Sequence, residues 1–153
     1  MVKGENEELE TYLKDHYAAG VGAIELLEHQ AKTHEDKPLG AFFKDLLAEV
    51  TLDHKTLHGL LFILGFEESP VRNAGAWMAE KLGRAKLGFA TETYGLPLLQ
   101  TLETLALGIT GKGLLWRALS KVWGADSAPQ EIDFCRTGKT CFRSIRARGS
   151  SAI

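Results

Sequence analysis

The second stretch of apolar periodicity along the chain runs Phe43, Leu46, Val50, position 53, Leu57, Leu60 and Leu64, stepping 3, 4, 3, 4, 3, 4 without a slip. That spacing is one face of an α-helix. The residue at position 53 is an aspartate, set between full turns of large aliphatic side chains. A first stripe, Leu9, Leu13, Tyr17, Gly20, Ile24, Leu27 and Ala31, predicts a helix from about Glu7 to Lys32, and His16 falls within its arc. The second stripe predicts a helix from about Leu39 to Leu64, reached through the proline-containing loop "THEDKP".

After "GFEES" breaks the pattern, Ser69 followed by Pro70 supplies an N-cap and a first-turn proline. The stripe Val71, Ala74, Met78, Leu82, Ala85, Phe89 then predicts a third helix, narrow and small enough for close approach. A fourth starts near Leu96 and Pro97 and ends near Trp123 and Gly124. Its seam is Leu98, Leu102, Leu105, Ile109, position 112, Trp116, Leu119 and Trp123. Position 112 is a lysine. Long helices joined by short loops make neighbours antiparallel, so the expected fold is an all-α, up-down-up-down four-helix bundle over residues 1–124. Residues 125–153 read as a basic C-terminal arm, and no strand-like alternation competes.

If the first hairpin turns near Asp36, His16 on the first helix lies close to the level of Asp53 to Leu57 on the second. Lys112, counted back through the turns, falls within several residues of the same level. Three helices thus each bring one polar residue inward: His16, Asp53 and Lys112. Two readings stay open. In one, these residues form a buried structural network that fixes helix register and offsets the cost of burying each alone. In the other they mark a metal or small-ligand site. His54 lies about 100° round from Asp53 on the edge of the stripe, with His58 one turn on. This pair reads as two solvated imidazoles or as a surface metal contact.

Composition fits one soluble domain: 153 residues, 44% hydrophobic and 25% charged. No run approaches the roughly 18 to 20 apolar residues of a membrane helix, and "MVKGENEELE" lacks the apolar core of a secretory signal. A cytoplasmic protein with no membrane association is expected. Cys135 and Cys141 both lie near the C-terminus, too few for a disulfide framework or a four-thiolate zinc site in the main body. Net charge is −2, yet residues 1–70 carry 14 acidic and 6 basic side chains while residues 71–153 carry 6 acidic and 12 basic. The halves should attract one another. The last twenty residues, "FCRTGKTCFRSIRARGSSAI", hold five basic and no acidic side chains. Such an arm is either solvated or a contact for nucleic acid or an anionic surface. Homo-oligomerisation is left open.

"GITGKGLL" and "CRTGKTC" are not phosphate loops, because the glycine required five positions before the Gly-Lys is replaced by Ala106 and Asp133. Gly108, Gly111 and Gly113 instead weaken the fourth helix, each costing up to about 1 kcal/mol relative to alanine. A kink or a close backbone approach is expected there.

The phrases "YLKDHYAAGVGAIELLEHQ", "FFKDLLAEVTLDHKTLHGLLFILGF", "AWMAEKLGRAKLG" and "LETLALGITGKGLLWRAL" together resemble an uncharacterised bacterial branch of the ferritin-like four-helix superfamily. The resemblance covers roughly residues 12–119. It implies a bundle whose interior carboxylates can bridge metals, typically a glutamate from each of two helices and a Glu-x-x-His from each of the others. Here the residues three before His16, His29, His34, His54 and His58 are Leu13, Leu26, Ala31, Thr51 and Lys55. The paired motif is absent, which argues against a conventional di-iron ferroxidase. What the resemblance leaves is a reduced site of Asp53, Glu49 and His16, whose mixed oxygen and nitrogen ligands suit iron, manganese or zinc. Glu28 flanks the first stripe, while Glu25 and Glu103 are expected to face outward.

Overall fold

The computed structural model describes residues 3–66 and 95–123, with side chains from residue 6 onward. Three α-helices account for nearly all of them: α1, Lys3–Thr33; α2, Pro38–Ile63; and α3, Leu96–Val122. Among the described residues there is no strand. The helix expected over 71–89 and the arm over 125–153 lie outside the described residues, so three helices are seen where four were expected. The chain divides into two compact units, Met1–Gln100 and Thr101–Ile153. None of the described helices is long and apolar enough to cross a membrane.

In the first unit α1 and α2 form an antiparallel hairpin whose turn is built by backbone bonds. The Lys37 amide donates to the His34 carbonyl (2.9 Å), and the Gly40 amide donates to the Lys37 carbonyl (2.9 Å). Lys37 occupies the N-cap of α2 in an extended conformation, and Pro38 follows it at the start of the helix. Proline suits that place because its missing N–H would have had no partner in the helix. A glycine is obligatory at position 40: a Cβ there would sit 2.0 Å from the His34 carbonyl oxygen. Lys44 closes the turn from outside through an ion pair with Glu35 (3.3 Å).

The far end of α2 is closed by Gly65, whose φ of +69° is the left-handed conformation that glycine adopts without strain. The Gly65 amide donates to the Phe62 carbonyl (3.0 Å) and the Phe66 amide to the Leu61 carbonyl (3.1 Å). This pair of bonds is the Schellman closure of a helix C-terminus.

Between the two caps the stripes are buried as their spacing requires. On α1, Leu13, Leu27 and Ala31 are buried, with Leu9, Tyr17, Gly20 and Ile24 half-buried. On α2, Phe43, Leu46, Asp53, Leu57 and Leu60 are buried, with Val50 and Leu64 half-buried. Burying these large side chains, at roughly 1.5–3 kcal/mol each, is the main force holding the hairpin closed.

On α3 the seam positions Leu105, Trp116 and Leu119 are buried, and Leu98, Leu102, Ile109, Lys112 and Trp123 are half-buried. The helix runs without interruption through its glycines. A Cβ on Gly108 or Gly111 would meet nothing within 4 Å, so the close backbone approach expected there is not made at these two positions. Gly113 is buried.

Candidate polar seam of the helical hairpin

Asp53 sits where the α2 spacing puts it, on the inward stripe and only 9% exposed. A carboxylate in such a place costs several kcal/mol unless other groups stabilise it. Asp53 is engaged with other groups, as are Glu49 one turn earlier and Lys112. Glu49 is half-buried. Glu25, Glu28 and Glu103 are all exposed.

His16 is half-buried. It sets its ring edge-on against Tyr12, one turn back on its own helix, with centroids 4.8 Å apart. Asp53 and His16 belong to the first unit and Lys112 to the second.

The contact made across the hairpin at this level was not singled out by the sequence. Tyr17 on α1 stacks its ring on His54 of α2, with centroids 4.2 Å apart and planes 21° from parallel. It also lies 5.8 Å from His58. Under the His54 ring is Gly20, where a Cβ would come within 2.5 Å of His54 Nδ1. Helix α2 therefore lays an imidazole into the gap left by a missing side chain on α1. Both histidines are half-buried, which corrects the expectation of two solvated rings. The signal for this lay in the spacing: Tyr17 and Gly20 are consecutive positions of the α1 stripe, and His54 borders the α2 stripe.

A second histidine was also passed over. His34 is 1% exposed and packs its ring 5.7 Å from that of Phe43. Burial pushes its pKa below the ordinary 6.5, and the positive charge of Lys37 lowers it further. Both effects favour the neutral imidazole over the charged one. Continuing the α1 stripe by three from Ala31 reaches His34, so its inward position follows from the same period. Gln30, also buried, lies one turn before it.

Metal binding makes a geometric demand that can be examined directly. Among the described residues, no three or more histidine, cysteine, aspartate or glutamate side chains are grouped so as to hold a metal ion. What the seam does present is a set of polar and aromatic rings packed against one another between aliphatic layers. Comparison of the chain with protein-family models, with curated proteins and with solved structures gave no match.

Proposed function

We propose that the chain is a non-enzymatic, cytoplasmic helical protein of ferritin-like architecture whose interior polar residues serve to fix helix register. His16, Asp53 and Lys112 are its structural polar network. The observation that carries this reading is the burial of Asp53 in an otherwise aliphatic stripe. A register shift of α2 against α1 would move that carboxylate away from the groups that stabilise it, and leaving a buried charge uncompensated costs roughly 3–5 kcal/mol. The Tyr17–His54 stack over Gly20 supports the same reading, because it too is made in one register only.

The test is to replace His16, Asp53 and Lys112 together with apolar residues of similar volume. A register-fixing network predicts that the triple variant stays helical and folded, with its stability unchanged or raised. Loss of a bound cofactor together with the fold would overturn the reading.

A second reading is a metal-binding or redox protein with a reduced site at Asp53, Glu49 and His16, taking iron, manganese or zinc. It is favoured by the pairing of a buried aspartate with a half-buried glutamate one turn away. A metal there would have to draw together side chains that form no such group in this structure. The basic arm supports a third, independent role in binding nucleic acid or an anionic surface. That role predicts salt-sensitive binding lost on truncation after Gly124, and retention by the truncated chain would exclude it.

A further inference from the structure

The outward face of α3 carries an apolar stripe that the described part of the fold leaves open. Leu107 is 74% exposed and Leu114 52%, and Val122 at the end of the helix is 76% exposed. Leu107 and Leu114 are seven residues apart and so lie on one line along the helix, a coiled-coil spacing. Between them are Thr110 and Gly111. The Thr110 hydroxyl donates to the Ala106 carbonyl (2.7 Å) on its own helix, so its donor is satisfied without water. A Cβ on Gly111 would meet nothing within 4 Å, so the backbone at the middle of the stripe is open to close approach. Single exposed leucines are ordinary; a leucine stripe with a bare backbone at its centre is a surface that another helix fits.

The charges on this face identify the partner. Glu103 lies one turn before Leu107, and Arg117 and Lys121 follow Leu114. All three are exposed, and none takes part in an ion pair among the described residues. The face is therefore acidic at its beginning and basic at its end. Turned end for end, it is complementary to itself. If two copies are laid antiparallel with Leu107 opposite Leu114, the two-fold axis falls between Thr110 and Gly111. Glu103 of each copy then lies opposite Ala118 and within a turn of both Arg117 and Lys121. A two-fold interface requires this self-complementarity, with residue i meeting j and j meeting i.

We propose that α3 is a self-association surface: two copies of this chain pair antiparallel through Leu107, Gly111 and Leu114, with Glu103 of each meeting Arg117 and Lys121 of the other. A strip of helix about 30 Å long and about 10 Å wide offers only some 300 Å² per copy. The two copies together bury about 600 Å², short of the roughly 1,000 Å² of a stable interface, so the association is weak, the dimer exchanges with monomer and its population rises with protein concentration.

Sedimentation velocity of the full chain over a wide concentration range, at low and at high salt, tests this. The expected result is a reversible monomer–dimer equilibrium that weakens with salt. Leu107→Asp with Leu114→Asp should raise the dissociation constant at least about tenfold while leaving the helical circular dichroism unchanged. Should those substitutions disturb the helix, the charges give a separate reading. Glu103→Lys alone should weaken the dimer by placing like charges together, and adding Arg117→Glu and Lys121→Glu should restore it. A chain that stays monomeric at every concentration overturns the proposal. A dimer indifferent to both the leucine and the charge variants would overturn it equally.

Discussion

Midway down the buried stripe of α2 stands a carboxylate, whereas the outward face of α3 carries leucines. In the hairpin, polar groups at Asp53, His34 and Gln30 are taken inside, and the rings of Tyr17, His54 and His58 are packed between the helices. On α3 the buried positions are mostly apolar, with Thr101 buried and Lys112 half-buried among them, and Leu107 and Leu114 stand outside. Each departure from the usual pattern needs a partner. The buried Asp53 and His34 of the hairpin are engaged within the chain, beside a turn and a stack that fit one register, although α2 also leaves Leu52 and Phe62 exposed. Helix α3 presents its departures to solvent, where the complement of Leu107 and Leu114 is a second copy of the same face.

The largest effect expected is at the hairpin turn. Gly40→Ala forces a methyl group onto the His34 carbonyl oxygen, which is backbone and cannot swing aside. It should cost about 3 kcal/mol in chemical denaturation, and a neutral outcome would mean that the turn is not held as described. Asp53→Ala comes next, at about 2 kcal/mol, because it strips one member from a buried polar set and leaves the others exposed to the loss. The same substitution on an exposed carboxylate, Glu103→Ala, should change monomer stability by less than about 0.5 kcal/mol. Equal effects at the two sites would erase the contrast between the hairpin and α3.

Gly20→Ala pushes on the His54 ring and should cost about 1 to 2 kcal/mol. Its signature is a change in the tyrosine near-UV circular dichroism as the Tyr17 stack opens. The sign of the pH effect at His34 follows from its lowered pKa. As pH falls below about 6.5 the unfolded chain takes up a proton at this imidazole while the folded chain resists it. The contribution is therefore fully present above about pH 6.5 and is lost as the pH drops toward the lowered native pKa. His34→Gln should flatten the decline in melting temperature between about pH 7 and about pH 5 relative to the parent; an unchanged slope would assign the decline to other groups. The last change is favourable. Gly108→Ala, in an exposed stretch of α3 with open space around it, should stabilise by about 0.5 to 1 kcal/mol.

Much of this fold is legible in spacing alone. The three described helices begin and end within a few residues of their expected bounds, and no position of the three stripes is exposed. Period fixes which face turns inward, whatever residue occupies it, and that is why Asp53 could be placed on the buried stripe from the sequence, while Lys112 on the α3 seam is half-buried. The features that were not legible are those made between segments. Gly40 reads as an ordinary helix residue until the chain turns and brings the His34 carbonyl against it. His34 continues the α1 stripe beyond Ala31, but the loop composition of "THEDKP" hides the continuation. Tyr17 and His54 each belong to a visible stripe or its edge, yet their stacking depends on the offset of two helices, which a single-helix period does not contain.

The central claim is that the buried aspartate of α2 is structural. Its most direct test is the metal content of untagged protein, purified without chelator and without added metal, measured by elemental mass spectrometry alongside Asp53→Leu. The account predicts no stoichiometric iron, manganese or zinc in the folded parent and no difference in the variant. Near-stoichiometric metal in the parent that disappears with Asp53 would contradict it.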